Sequence, residues 1–141
     1  MVIYDRVPFY YETDQMKIIH HANYIRWFEE ARVYYLEKVG TIFAEQEAKG
    51  IVCPVLTMDA QYKKMVHFGE PVEIETRLNL YTGLRYGFSY VVRNKQTGEI
   101  CCTGASTHCF LNPEGNLMKV KKEYPEMHEL LTKYLAEDAV K

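Results

Sequence analysis

No stretch of this chain runs 18 residues without a charge, so none reads as a membrane-spanning helix. Net charge is also scarce: 17 basic against 19 acidic side chains leave only -2. Phosphate recognition needs a clustered basic excess, so nucleic acid is excluded as the main partner. The first residues, Met-Val-Ile-Tyr-Asp-Arg, lack the basic start and apolar stretch of a secretory signal, and a cytoplasmic location is expected. The four cysteines (Cys53, Cys101, Cys102 and Cys109) form no CxxC pair. They read as buried thiols in a reducing compartment, with no metal site and no disulfide.

What remains is an ordinary globular composition, 48% apolar and 26% charged over 141 residues. That length fits one domain and buries roughly 70% of the surface that an unfolded chain exposes. Val2 to Glu12 is rich in Val, Ile, Tyr and Phe and predicts an opening strand, with Pro8 at an edge or bulge. From Ala22 to Val39 the period changes. Tyr24, Phe28, Ala31, Tyr35 and Val39 fall on one helical line, with Asn23 as N-cap and Gly40 as a left-handed stop. The stripe is wide and includes Trp27, so something wraps this helix. A shorter helical piece is expected over Thr41 to Lys49.

Strands follow. Val72, Ile74, Thr76, Leu78 and Leu80 alternate with Glu73, Glu75, Arg77, Asn79 and Tyr81. A second alternating run covers Arg85 to Arg93, and a third covers Glu99 to Leu111. Gly104, Ala105 and Ser106 in the last run predict a close approach by another element. Glu123 to Ala136 reads as a closing amphipathic helix. The order is strand, long helix, four strands, helix: an α+β arrangement with a largely antiparallel sheet curled around one central helix.

The chemistry-bearing stretch is the loop from Tyr10 to Tyr24. It brings an acidic side chain, a histidine pair and the free N–H groups of a helix start together. Such donors, with the helix dipole behind them, can hold an oxyanion developing on a carbonyl, and a carboxylate beside them can activate water or attack directly. Taken singly, Asp14 reads first as a turn or capping residue, either histidine as a structural hydrogen-bonder, and Tyr10 as packing.

The run Tyr10-x3-Asp14-x6-His21-x-Asn23-Tyr24, continued by Ile25-Arg26-Trp27-Phe28-Glu29-Glu30-Ala31-Arg32, resembles the 4-hydroxybenzoyl-CoA thioesterase-like branch of the hotdog-fold acyl-CoA thioesterases. The segment Tyr62 to Pro71 resembles that family's central strand and turn. The resemblance covers nearly the whole chain and implies a hotdog fold, with a five- or six-stranded antiparallel sheet wrapped around the long helix. It implies hydrolysis of an acyl-CoA thioester with no cofactor, Asp14 as catalytic carboxylate, and the N–H of His21 or its neighbour as oxyanion donor. Tyr10 and His21 match active-site positions, His21 ahead of His20, and Asn23 and Tyr24 fall in the same motif as substrate-binding positions. Lys63 and Lys64, expected on a strand and so on opposite faces, become candidates for the phosphates of coenzyme A, solvated surface charges being the plain alternative. Lys17 departs from the pattern, standing where many relatives have Gly. The family forms homodimers, often paired into homotetramers, with each site at a subunit interface. Two other readings stay open: the same reaction on acyl carrier protein, and a non-catalytic acyl-CoA-binding protein. Phe43, Ile51, Val55 and Tyr86 either line an acyl tunnel or fill a core.

Overall fold

A computed structural model describes residues 1–40, 46 and 48–139. Five strands, β1 (Val2–Arg6), β2 (Val55–Tyr62), β3 (Val72–Tyr81), β4 (Arg85–Asn94) and β5 (Ile100–Cys109), form one antiparallel sheet in the order β1-β3-β4-β5-β2. Helix α1 (His21–Lys38) lies against the inner face; α2 (Val120–Glu123) and α3 (Pro125–Asp138) follow β5. The helix expected over 41–49, and with it Phe43, lies largely outside the described residues.

Alternation builds the inner face. Val72, Ile74, Thr76 and Leu78 are buried on β3, while Glu75 on the opposite face pairs with Arg77 and Arg93 at 3.4 Å each. Across β4 and β5, Phe88 opposes Ser106, Tyr90 opposes Gly104 and Val92 opposes Cys102, so successive inward residues stack into layers beneath α1. Trp27, Phe28, Ala31 and Tyr35 of α1 fill those layers and are almost wholly buried. Burial of each large side chain contributes roughly 1.5–3 kcal/mol.

The small residues on β5 have their cause here. A Cβ on Gly104 would lie 2.5 Å from the Phe28 ring, which stacks on Tyr90 at 4.5 Å. Gly40, with φ +90°, ends α1 as expected. Cys101, Cys102 and Cys109 are buried, Cys53 is partly buried, and among the described residues none of the four is in a disulfide.

Three boundaries differ from expectation. The opening strand stops at Arg6, and Tyr10–Glu12 forms a 3-10 turn. Pro8 has no N–H for a ladder, and the Glu12 side chain accepts from Phe9 N at 2.7 Å, which closes the turn. The N-cap of α1 is His20, whose Nδ1 accepts from Ala22 N at 3.2 Å; Asn23 lies inside the first turn. The closing helix starts at Pro125, at a position where its missing N–H costs nothing. Among the described residues no helix is long and apolar enough to cross a membrane.

Candidate active site

The loop into α1 is held by a buried ion cluster. Glu12, only 2% exposed, accepts from Arg6 Nη1 at 2.9 Å and Arg6 Nη2 at 3.0 Å, and from Trp27 Nε1 at 2.8 Å. Its backbone carbonyl accepts from His20 N at 2.9 Å and from Asn23 Nδ2 at 2.8 Å. Every acceptor on Glu12 is thus used to tie the loop to both β1 and α1. Asn23 is spent on this tie and does not line the pocket described below.

Two residues on, Asp14 is partly exposed, and its Oδ1 accepts from Met16 N at 2.8 Å. Asp14 N donates to Ile18 O at 2.9 Å and Lys17 N to Asp14 O at 3.0 Å, closing a tight loop. Lys17 sits at φ +65°, the one positive-φ residue other than glycine among the described residues. The left-handed turn is kept with a lysine in place of the glycine that such a turn favours.

At the start of α1, Ala22 N is taken by the His20 ring and Asn23 N by His20 O. The N–H of His21 has no hydrogen-bond partner among the described residues. A helix start with one such open donor, and the dipole behind it, is suited to a negatively charged oxygen.

These groups share one pocket of about 340 Å³, walled by Asp14, His21, Tyr24, Tyr62, Lys63 and Lys64 with apolar side chains between them. Tyr62 OH donates to His21 O at 3.1 Å and its ring meets Tyr24 at 5.4 Å. Burial raises the pKa of the Tyr24 and Tyr62 hydroxyls above the usual phenol range, so both stay neutral. The lysines are arranged otherwise than expected. β2 ends at Tyr62, and Lys63 N and Lys64 N both donate to Cys101 O, at 2.8 Å and 3.1 Å. The chain turns there, and both lysines reach the same pocket. Lys64 is paired with Glu99, which raises its pKa; the ammonium of Lys63 has no partner among the described residues.

Of the residues singled out in the sequence, Asp14, His21, Tyr24, Lys63 and Lys64 therefore converge. Tyr10 does not join them: it is 76% exposed and packs edge-on against Phe68 at 5.6 Å. Tyr62 and the Glu12 cluster were not singled out. The one available signal for Glu12 was the single tryptophan of a buried stripe, whose indole N–H needs an acceptor. Among the described residues no group of three or more His, Cys, Asp or Glu is placed to hold a metal ion.

Comparison with known proteins adds four findings. A model of the thioesterase-like superfamily matches residues 7–133. The chain is similar to the "Putative acyl-CoA thioesterase YneP" of Bacillus subtilis, with 32% identity over 120 residues, 84% of this chain and 86% of that protein. Among solved structures it is similar to the DHNA-CoA thioesterase of Staphylococcus aureus, with TM-score 0.91 and 31% identity over 99% of this chain and 95% of that one. A hypothetical protein of Aquifex aeolicus aligns at TM-score 0.83 and 29% identity over 93% and 99%.

Proposed function

The chain belongs to the thioesterase-like superfamily, and we propose that it hydrolyses acyl-CoA thioesters by general-base catalysis at Asp14. It is a thioester hydrolase with the hotdog architecture of its structural relatives. The observation that carries the residue assignment is the pairing of Asp14 and the open His21 N–H in one pocket.

In this reading the thioester carbonyl oxygen lies against His21 N–H. Asp14 takes a proton from a water molecule, whose oxygen forms the new bond to the acyl carbon. The tetrahedral oxyanion is held by the helix N-terminus, a contribution realised only as charge develops. Collapse breaks the carbon–sulfur bond, and the leaving thiolate receives the proton from Asp14. Water supplies the oxygen, so the proposal includes no cofactor. The neutral Tyr24 and Tyr62 shape the approach. Lys63 is the better phosphate ligand of the lysine pair, because Lys64 is already neutralised by Glu99.

The proposal includes a two-fold homodimer, alone or paired into a tetramer. Its support is β2, a sheet edge on which Val55, Leu56 and Tyr62 are about half exposed, with Tyr62 at the pocket. An uncovered edge of that kind invites pairing with a second copy.

The test is thiol release from a panel of acyl-CoA thioesters, run beside the same acyl groups on acyl carrier protein. Turnover of one or more CoA thioesters is expected. Hydrolysis confined to the carrier protein would move the substrate assignment, and tight binding of acyl-CoA without thiol release would make the chain a binding protein.

A further inference from the structure

Two side chains from opposite directions hold one peptide group at the start of α1. Between His21 and Ala22, the N–H (that of Ala22) donates to His20 Nδ1 at 3.2 Å, and the carbonyl (that of His21) accepts from Tyr62 OH at 3.1 Å. His20 precedes the helix, whereas Tyr62 ends β2. The Tyr62 hydroxyl is kept protonated, and so able to donate, by burial first and then by Cys102.

The neighbouring peptide group, between His20 and His21, carries the open donor. Its carbonyl accepts from Asn23 N at 2.9 Å, while its N–H, that of His21, faces no partner among the described residues. His20 N in turn donates to Glu12 O at 2.9 Å, which fixes the residue to the loop. Each peptide group is planar, so only the two soft dihedrals of His21 lie between the held plane and the plane that bears the donor. Fixing the first plane at both ends therefore sets the direction of the His21 N–H. An oxyanion donor is effective only when it is aimed before charge develops.

We propose that His20 and Tyr62 are positioning residues that clamp the peptide group between His21 and Ala22 and so aim the His21 N–H, and that a proton on the His20 ring opens the clamp and lowers turnover. The inference rests on the reading of the Asp14 pocket as the thioester site. With Nδ1 accepting from Ala22, the neutral His20 ring carries its proton on Nε2. In the imidazolium both ring nitrogens are donors, so Nδ1–H would face Ala22 N–H, donor against donor. The added positive charge also stands at the positive end of the helix dipole. The ring is exposed, so solvent protons reach it. The titratable groups around it are the His21 ring, stacked at 4.2 Å, and Tyr62, edge-on to His21 at 6.2 Å. Beyond them stand Asp14, Tyr24, Lys63 and Lys64 of the pocket. The Glu12 carboxylate is turned away and held by Arg6 and Trp27.

Two arms test this on the whole chain. The first needs no substrate: nitrogen-15 NMR follows the His20 ring and the Ala22 amide through a pH titration. Neutral His20 is expected with its proton on Nε2, and the Ala22 amide signal should move in step with protonation of that ring. A proton on Nδ1, or an Ala22 signal that ignores the His20 titration, overturns the clamp. The second arm compares kcat and KM for a hydrolysed acyl-CoA, from acid to neutral pH, in wild type, His20→Ala, His20→Asn and Tyr62→Phe. At neutral pH His20→Ala and Tyr62→Phe should each lose about tenfold in kcat with KM nearly unchanged, the scale of a misaimed donor. Asn caps a helix without titrating, so His20→Asn should restore most of the loss and show a shallower fall of kcat in acid than wild type. A wild-type kcat in His20→Ala, or an acid fall in His20→Asn that matches wild type, overturns the proposal while leaving the hydrolase intact. The NMR signature without hydrolysis of any thioester supports the clamp and contradicts the reading of Asp14.

Discussion

Glu12 and Asp14 stand two residues apart in one loop, carry the same functional group, and have opposite surroundings. Glu12 is buried and accepts four side-chain or backbone hydrogen bonds, two from Arg6 and one each from Trp27 and Phe9. Asp14 is partly exposed, accepts one from Met16, and opens on the pocket. A carboxylate with all its lone pairs occupied is held in one state and holds others in place. One with free capacity can take up a proton or meet a substrate. The contrast assigns architecture to Glu12 and chemistry to Asp14, and it extends to the rest of the molecule. Lys64 is occupied by Glu99 where Lys63 is open, and His20 is spent as a cap where the His21 N–H is not.

The largest effect expected from breaking this contrast is on the occupied side. Glu12→Ala leaves Trp27 Nε1 and Phe9 N without an acceptor and Arg6 with Glu30 as its remaining carboxylate partner, and it should destabilise the fold by about 3 kcal/mol. Denaturant unfolding reads this directly. A loss under about 1 kcal/mol, the scale of an exposed pair, would mean that the cluster does not anchor the loop.

The buried polar set around His108 predicts a pH effect of known sign. Its folded pKa is depressed to about 3 by burial and by Arg32, against 6.5 for the free group. Between those values the unfolded chain binds a proton that the folded one refuses. Stability from this group is therefore complete above about pH 6.5 and is lost as pH falls toward 3, with a slope of up to ~1.4 kcal/mol per pH unit. The groups around the ring are Arg32, Ser106, Tyr86 and Tyr90, with the Glu29 carboxylate bordering the same small cavity beside Arg32. Urea titrations of wild type and His108→Phe from pH 4.5 to 7 should differ in slope, the variant being flatter. Parallel slopes would place the proton elsewhere.

Lysines sharpen the comparison at smaller scale. Lys63→Ala should raise KM for acyl-CoA several-fold with kcat nearly unchanged, the pattern of lost uniform binding. The effect should shrink at high salt and vanish for a thioester lacking the nucleotide phosphates. Lys64→Ala should do less, because Glu99 already holds that charge. Equal effects of the two would remove the distinction between open and occupied.

Smallest is Lys17→Gly. The left-handed backbone at φ +65° costs a lysine on the order of 1 kcal/mol that glycine does not pay. The variant should be more stable by about that amount, read as a rise in Tm. An unchanged or lower Tm would show that the lysine side chain offsets the strain through contacts of its own.

Much of this was legible in the sequence because local patterns and tertiary packing agree. The alternation of Val72, Ile74 and Leu78 with Glu73, Glu75 and Arg77 became an inner and an outer sheet face, and the stripe from Tyr24 to Tyr35 became the buried side of α1. The small residues on β5 correctly implied a close approach, and Phe28 makes it. What failed was decided by partners distant in sequence or atypical for their type. Asn23 looked like a cap but is drawn to Glu12 O, while His20 caps through a ring nitrogen, a role usually filled by Ser, Thr, Asp or Asn. The strand predicted through Glu12 was broken by a side chain bonding back to Phe9. Lys63 and Lys64 share a pocket because both N–H groups converge on Cys101 O, which no alternation rule foresees. Arg32 and His108 lie 76 residues apart (108 − 32), and only the fold puts them on one cavity.

The division between the two carboxylates is tested most directly by one paired measurement: kcat for a hydrolysed acyl-CoA and Tm, on Asp14→Asn and Glu12→Gln side by side. The account predicts that Asp14→Asn keeps the wild-type Tm within a degree or two and loses about 10²-fold or more in kcat. It predicts that Glu12→Gln loses Tm markedly while its folded fraction retains most of the wild-type turnover. An Asp14→Asn enzyme that is folded and turns over at the wild-type rate would contradict the account.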